Sequence, residues 1–299
     1  MINRWSLVWF GIRFRFHPLF SIIVLLSALT GYFVEIITLF GIVLIHELGH
    51  AAAAKGLGWK VKEVQLLPFG GVAVVEEHSD IPVWQDLTVA LAGPLQNAWM
   101  MAVGSLLAGW GLLPPVWGAY FVQANLLIGL FNMLPIFPLD GGKVLLALFG
   151  LWLPYEKTIR LTVWISLVFS GLMLCASALH LLTEKGGLQL NLLMIGLFLL
   201  YSNWYELRGI PYRFVRFLVN RPVRQQGLLS RGTAALPIVV LDKRRVTEIV
   251  RLFMRDRYHL IYVLDERGAL RHIVPEKTML DFYFDEGRRD RPLAELFLL

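Results

Sequence analysis

At 299 residues, 57% hydrophobic and 17% charged, with a net charge of +6, the chain is too apolar for a soluble globular protein. The positive charge does not mark a nucleic-acid binder, because the Lys and Arg residues are spread out and flank apolar segments, where membrane topology accounts for them. The single cysteine, Cys175, excludes a disulfide framework and a thiolate zinc site.

Six apolar stretches follow in chain order, at about 19–34, 36–54, 87–113, 116–149, 159–182 and 190–205. A tilted helix of about 17–25 residues crosses the hydrocarbon, so the pattern predicts a polytopic α-helical membrane protein with six transmembrane helices. Residues 1–205 hold ten acidic groups and 206–299 the other twelve, which divides the chain. We read 1–206 as the membrane domain, 207–226 as a basic, flexible linker and 227–299 as a cytoplasmic α/β domain. No small-residue cleavage site follows the first stretch, so it is expected to be a retained span; His17-Pro18 before it reads as an entry turn.

The second stretch carries His46-Glu47-Leu48-Gly49-His50 in an otherwise uncharged run. An ionisable group in a span costs roughly 2.5–3.5 kcal/mol on insertion scales, so such groups are usually functional. Two histidines four apart lie one above the other on a helix, and both can offer a ring nitrogen to one Zn²⁺. Glu47 points about 100° round the helix, where a general base for an attacking water belongs.

Residues 61–75 alternate loosely around Pro68, Gly70 and Gly71, which predicts a hairpin. Its free edge could pair with an unwound peptide through backbone hydrogen bonds. Gly93-Pro94 is expected to open the third span, where proline in the first turn costs nothing. The fourth stretch is too long for a simple span, and Pro135 and Pro138 break it. Asp140 sits at this break. Among the carboxylates of the apolar segments, Glu35 lies at a boundary and Glu47 is committed as base, so Asp140 is the third ligand by elimination; an N-cap role where the helix resumes is the alternative. Asn132 could donate its amide to a developing oxyanion, or serve as an interhelical hydrogen-bonding residue.

Arg4, Arg13 and Arg15, then Lys55, Lys60 and Lys62, then Lys157 and Arg160, then Arg208, Arg213 and Arg216 fall on one side of a six-span arrangement, against Lys185 alone on the other. The positive-inside rule puts both termini in the cytoplasm.

Four motifs in this order, Ile-His-Glu-Leu-Gly-His-Ala-Ala (45–52), Leu-Leu-Pro-Phe-Gly-Gly (66–71), Ala-Gly-Pro-Leu-Gln (92–96) and Asn132 followed by Pro-Leu-Asp-Gly-Gly (138–142), resemble the site-2 protease (M50) family of intramembrane zinc metalloproteases, and in particular its sporulation branch. The resemblance implies one Zn²⁺ per chain on His46, His50 and Asp140, Glu47 as catalytic base, and Asn132, Pro138, Phe69, Gly70 and Gly71 beside the substrate. It also implies regulated cleavage of a membrane-associated proprotein in a bacterial plasma membrane. For the sporulation branch that substrate is a sigma-factor precursor, the membrane is the mother-cell membrane around the forespore, and membrane regulatory proteins are further partners.

In the last third, 236–241 (strand), 245–256 (helix), 260–264 (strand), 265–268 (turn), 270–274 (strand) and 276–284 (helix) resemble a single cystathionine-β-synthase (CBS) module. Such modules pair, which implies a homo-oligomer, and many bind adenine nucleotides. Pro275 and Thr278 stand where that pattern has a hydroxyl residue and an aspartate, which argues against a nucleotide and leaves docking of substrate or partner equally open. Two other classes compete with an enzyme. A metal transporter would place ligands on several discontinuous helices with internal repeats, which are not seen. A silent scaffold would have no need of Glu47.

Overall fold

The computed structural model describes residues 6–9, 12–16, 25–67, 70–75, 81–179 and 189–296. The chain divides into two compact units, one of residues 1–78 and 84–144, the other of 79–83 and 145–299.

In the first unit, β1 (Ser6–Trp9), β2 (Ile12–Phe16), β3 (Val61–Leu67) and β4 (Gly70–Val75) form one sheet in that order. The β1–β2 and β3–β4 pairs are antiparallel hairpins, while β2 and β3 run parallel. A parallel pair needs a long crossover, which here includes α1 (Phe33–Gly56). The hairpin expected at 61–75 is present, with Gly70 and Gly71 opposite Leu67 and Leu66. Phe69 and Pro68 lie outside the described residues, as does His17-Pro18.

The first two apolar stretches are separated at Gly31, whose φ of 83° is a left-handed conformation suited to glycine. Residues 25–30 are helical before it. At 1.5 Å per residue the 24-residue α1 is about 36 Å long, enough to cross a hydrocarbon core. Among the described residues, α1 and α5 (Tyr155–Leu179) are the helices both long and apolar enough to do so outright.

The third stretch differs from expectation. The helix α2 (Val83–Gly109) begins earlier than 87, so Gly93-Pro94 lies in mid-helix rather than in its first turn. The start is fixed by Asp256, whose carboxylate accepts the Val83 N–H at 2.8 Å, a partner 173 residues away that local sequence cannot reveal. The fourth stretch breaks as expected, into α3 (Pro115–Asn132) and α4 (Asp140–Gly150). In the turn between them the Phe137–Pro138 bond is cis. Glycine is required where α4 begins: a Cβ on Gly142 would lie 2.7 Å from the Ile136 carbonyl carbon, and one on Gly141 would strike the Met133 and Leu134 carbonyl oxygens.

In the second unit α5 packs along α6 (Leu190–Arg231). Thr158, Thr162, Ser166, Ser170 and Ser177 are all buried along α5. Thr162, Ser166 and Ser170 each donate to the carbonyl four residues back, so small hydroxyls are buried without orphaned donors. The sixth stretch does not end at 205. It runs on through 207–226 as one 42-residue helix, so the flexible linker is corrected to a continuous helix. The cause is tertiary: Phe214 and Leu218 belong to the hydrophobic core of the C-terminal fold, and the fully buried Arg221 is bonded into it.

That C-terminal fold has β5 (Ala235–Leu241), α7 (Val246–Val250), β6 (Tyr258–Leu264), β7 (Leu270–Pro275), α8 (Glu276–Phe284) and α9 (Leu293–Leu296). Parallel β5–β6 and antiparallel β6–β7 pairing follows the expected element order, and the helix expected over 245–256 is shortened to five residues. Val246, Ile249, Phe253, Ile261, Val263, Met279 and Leu293 fill the core.

Candidate metal centre

His46 and His50 stand one turn apart on α1, and Asp140 is the first residue of α4. All three are buried, with 2%, 6% and 4% exposure, although an isolated buried ionisable group is costly. Asp140 Oδ2 lies 3.0 Å from His46 Nε2 and 3.0 Å from His50 Nε2, and the two Nε2 atoms are 3.2 Å apart. The second carboxylate oxygen, Oδ1, accepts a 2.9 Å ion-paired hydrogen bond from Lys143, which turns Oδ2 toward the histidines. Asp140 thus starts a helix and also joins the histidines.

Helix α2 backs both rings. His50 Nδ1 is 2.7 Å from the Val89 carbonyl oxygen, which can only accept, so Nδ1 carries the proton and Nε2 of the neutral ring presents a lone pair. His46 Nδ1 is 2.5 Å from Asn97 Oδ1. Val89, Gly93 and Asn97 are spaced four apart and share one face of α2. Gly93 lets that face approach: a Cβ there would lie 2.6 Å from His46 Nε2 and closer still to His50 Nε2. On the facing helix, a Cβ on Gly49 would lie 2.7 Å from the Ala92 carbonyl oxygen. The two glycines explain the tight crossing of α1 and α2.

With Nδ1 of both rings facing acceptors, the neutral imidazoles turn two Nε2 lone pairs toward one carboxylate oxygen. Such a triangle is suited to a cation. Its edges of 3.0 to 3.2 Å compare with the roughly 3.3 Å separating ligands on a tetrahedral zinc at about 2.05 Å. Two imidazoles and a carboxylate, with outer acceptors on both Nδ1 atoms, are the donor set and support that zinc takes. Among the described residues this is the cluster of His, Cys and carboxylates able to hold a metal.

Glu47, buried at 8% exposure, follows His46 on the same helix and stands outside the donor triangle. Asn132 is the last residue of α3 and donates its amide to the Ile128 carbonyl at 3.1 Å, a bond within its own helix rather than between helices. Pro138 is exposed in the turn before Asp140. Sequence reasoning missed Val89, Gly93 as a packing position against the two histidines, and Asn97. The signal for Asn97 was an amide in an apolar helix, one residue beyond the Ala-Gly-Pro-Leu-Gln motif.

A helical frame that brings two histidines and a carboxylate into a cluster able to hold a metal, with a glutamate beside it, is the arrangement expected of a zinc metalloprotease. Comparison with known proteins agrees. Residues 34–112 match Peptidase family M50. The chain is 36% identical over 298 residues to stage IV sporulation protein FB of Bacillus subtilis, covering 99% of each. It is 26% identical over 243 residues to a zinc metalloprotease of Methanocaldococcus jannaschii, covering 78% of this chain and 64% of that one. The solved site-2 protease from the same archaeon superposes with a TM-score of 0.51 at 28% identity, covering 68% of this chain and 95% of that one. The chain therefore belongs to peptidase family M50, with the site-2 protease fold, a zinc cofactor and a place in the membrane.

Proposed function

We propose that this enzyme cleaves a membrane-associated proprotein, and that the substrate is a sporulation sigma-factor precursor. The substrate class rests on full-length similarity to stage IV sporulation protein FB. The chemistry rests on one observation above the others, the convergence of His46 Nε2, His50 Nε2 and Asp140 Oδ2 on a buried point of an apolar helix. We take these three as the zinc ligands. Zinc held there supplies Lewis acidity toward water and toward the scissile carbonyl. Glu47 accepts the proton of the attacking water and delivers it to the leaving amine. The Asn132 amide has a second N–H beyond its bond to Ile128, available to a developing oxyanion. Pro138 borders the site. Gly70 and Gly71 begin β4, which lies at the end of the described sheet order and could accept an extended substrate strand, and Phe69 precedes them in sequence.

The remaining topology belongs to the same proposal: six spans, both termini cytoplasmic, and a membrane domain of 1–206 joined through 207–226 to a CBS-like module of 227–299. The β-α-β-β-α order supports that module. Pro275 caps α8 and Thr278 lies inside it, which weighs against an adenine nucleotide and favours docking of substrate or a second copy of the chain. Regulation by membrane proteins follows from the same family likeness. Co-expression with tagged sigma-factor precursors tests the substrate. A shortened precursor is expected with the intact enzyme. Absence of processing for every precursor, by a protein that holds zinc and cleaves another membrane protein, would overturn the substrate class.

A further inference from the structure

Asn97 lies between α1 and α3, 2% exposed, in a position that its polarity alone would make costly. It is 2.5 Å from His46 Nδ1 through Oδ1, and its Nδ2 donates to Asn125 Oδ1 at 3.3 Å. Asn125, 1% exposed, in turn donates its Nδ2 to the Phe121 carbonyl oxygen at 2.9 Å. Room for this chain comes from Gly129 on α3, where a Cβ would stand 3.3 Å from the Asn97 Cβ.

The end of the chain fixes its direction. A backbone carbonyl can only accept, so Asn125 must present its NH₂ to Phe121 and its oxygen to Asn97. Asn97 must then present its NH₂ to Asn125 and its oxygen to His46. That oxygen accepts a proton from Nδ1, and Nε2 is left as the lone pair facing His50 and Asp140. For His50 the same result needs only the Val89 carbonyl.

We infer that Asn97, aligned by Asn125, is a positioning residue that locks His46 in the Nδ1–H tautomer and so preforms one of the metal's nitrogen ligands. The inference rests on the zinc reading of the site. Losing an outer acceptor of a metal-bound histidine typically weakens the metal about 10–100-fold. The two histidines are therefore held in one tautomer by different means, one by main chain that mutation cannot remove and one by a side chain that it can.

The test is zinc affinity of the purified full-length protein in detergent, measured by competition with a chelator. Asn97→Leu keeps the branched shape and removes the acceptor, and should raise the zinc Kd about 10–100-fold. Asn97→Asp keeps the acceptor and should stay within about threefold of wild type. A packing role alone ranks them the other way, because a buried carboxylate is worse accommodated than leucine. Asn125→Leu, which leaves the Asn97–His46 contact in place, should weaken zinc by a smaller factor, about three- to tenfold, and decides the matter if Asn97→Leu does not accumulate. Unchanged affinity in either leucine variant, or Asp weaker than Leu, overturns the inference while the metal site stands. Failure of the wild-type protein to bind zinc at all overturns the zinc reading and the inference with it.

Discussion

Among the described residues, the buried charged side chains around Arg221 and those around His46 form two clusters that differ in one respect. In the C-terminal fold, Arg221 supplies its own cation. Its guanidinium donates to Glu276, to the Met254 and Arg255 carbonyls at 2.7 and 2.8 Å, and to the Arg257 carbonyl. Glu276 Oε2 also accepts from the His259 main-chain N–H at 3.0 Å, and His259 Nε2 accepts from Met254 N–H at 3.2 Å while its ring stacks on Phe253. Charge and hydrogen bonds close on themselves. Around His46, His50 and Asp140 two ring nitrogens and a carboxylate oxygen converge on one point, a donor set suited to a metal. The first cluster is closed, with its cation built in; the second is open toward a ligand's position.

Breaking the open cluster should have the largest effect. Asp140→Ala removes one of the three proposed ligands, and zinc measured by elemental analysis should fall well below one per chain, with peptidase activity lost by several orders of magnitude. Full zinc in this variant would leave the third ligand unassigned. Breaking the closed cluster should act on stability instead. Arg221→Met leaves Glu276 buried without its cation, and a loss of about 3–5 kcal/mol is expected in the unfolding of the C-terminal fold. Zinc content should stay at one per chain. A variant that lost zinc and kept its stability would reverse the distinction between the clusters.

Acid should reveal the closed cluster more gently. Burial lowers the pKa of His259 below its usual 6.5, with Glu276 only partly offsetting it. Burial raises that of Glu276, but the His259 hydrogen bond and the Arg221 charge outweigh it, so its net shift is downward from 4.5. Both groups bind protons more readily when unfolded. Stability should therefore decline as pH falls below about 6.5 through His259, and further below about 4.5 through Glu276. Chemical denaturation followed by tryptophan-independent circular dichroism at pH 7.5, 6 and 5 checks the slope. A flat profile that is unchanged in His259→Phe would remove His259 from this account.

The sequence disclosed those parts whose partners are close along the chain or forced by chemistry. His46, Glu47 and His50 share two turns of one helix, and the prolines and glycines at 135–142 mark the break that presents Asp140. The order of strands and helices after 235 was also readable from alternation and turn residues. What stayed hidden depends on distant partners. The start of α2 is set by Asp256, and the helical path of 207–226 by Arg221, Phe214 and Leu218 meeting the C-terminal core. The strands β1 and β2 are only four and five residues long, and β2 reaches its partner β3 across fifty positions (Arg13 opposite Glu63), so their place in the sheet is not announced locally. Asn97 was overlooked because its meaning lies in His46 and Asn125, on two other helices.

Glu47→Gln tests the central claim most directly, since it keeps every donor of the open cluster and removes only the group assigned to move the proton. Zinc content and cleavage of a membrane-associated precursor should be measured on the same purified preparation. The account predicts one zinc per chain together with cleavage slowed on the order of 10²–10⁴-fold or more. Cleavage at the wild-type rate with zinc in place would contradict it.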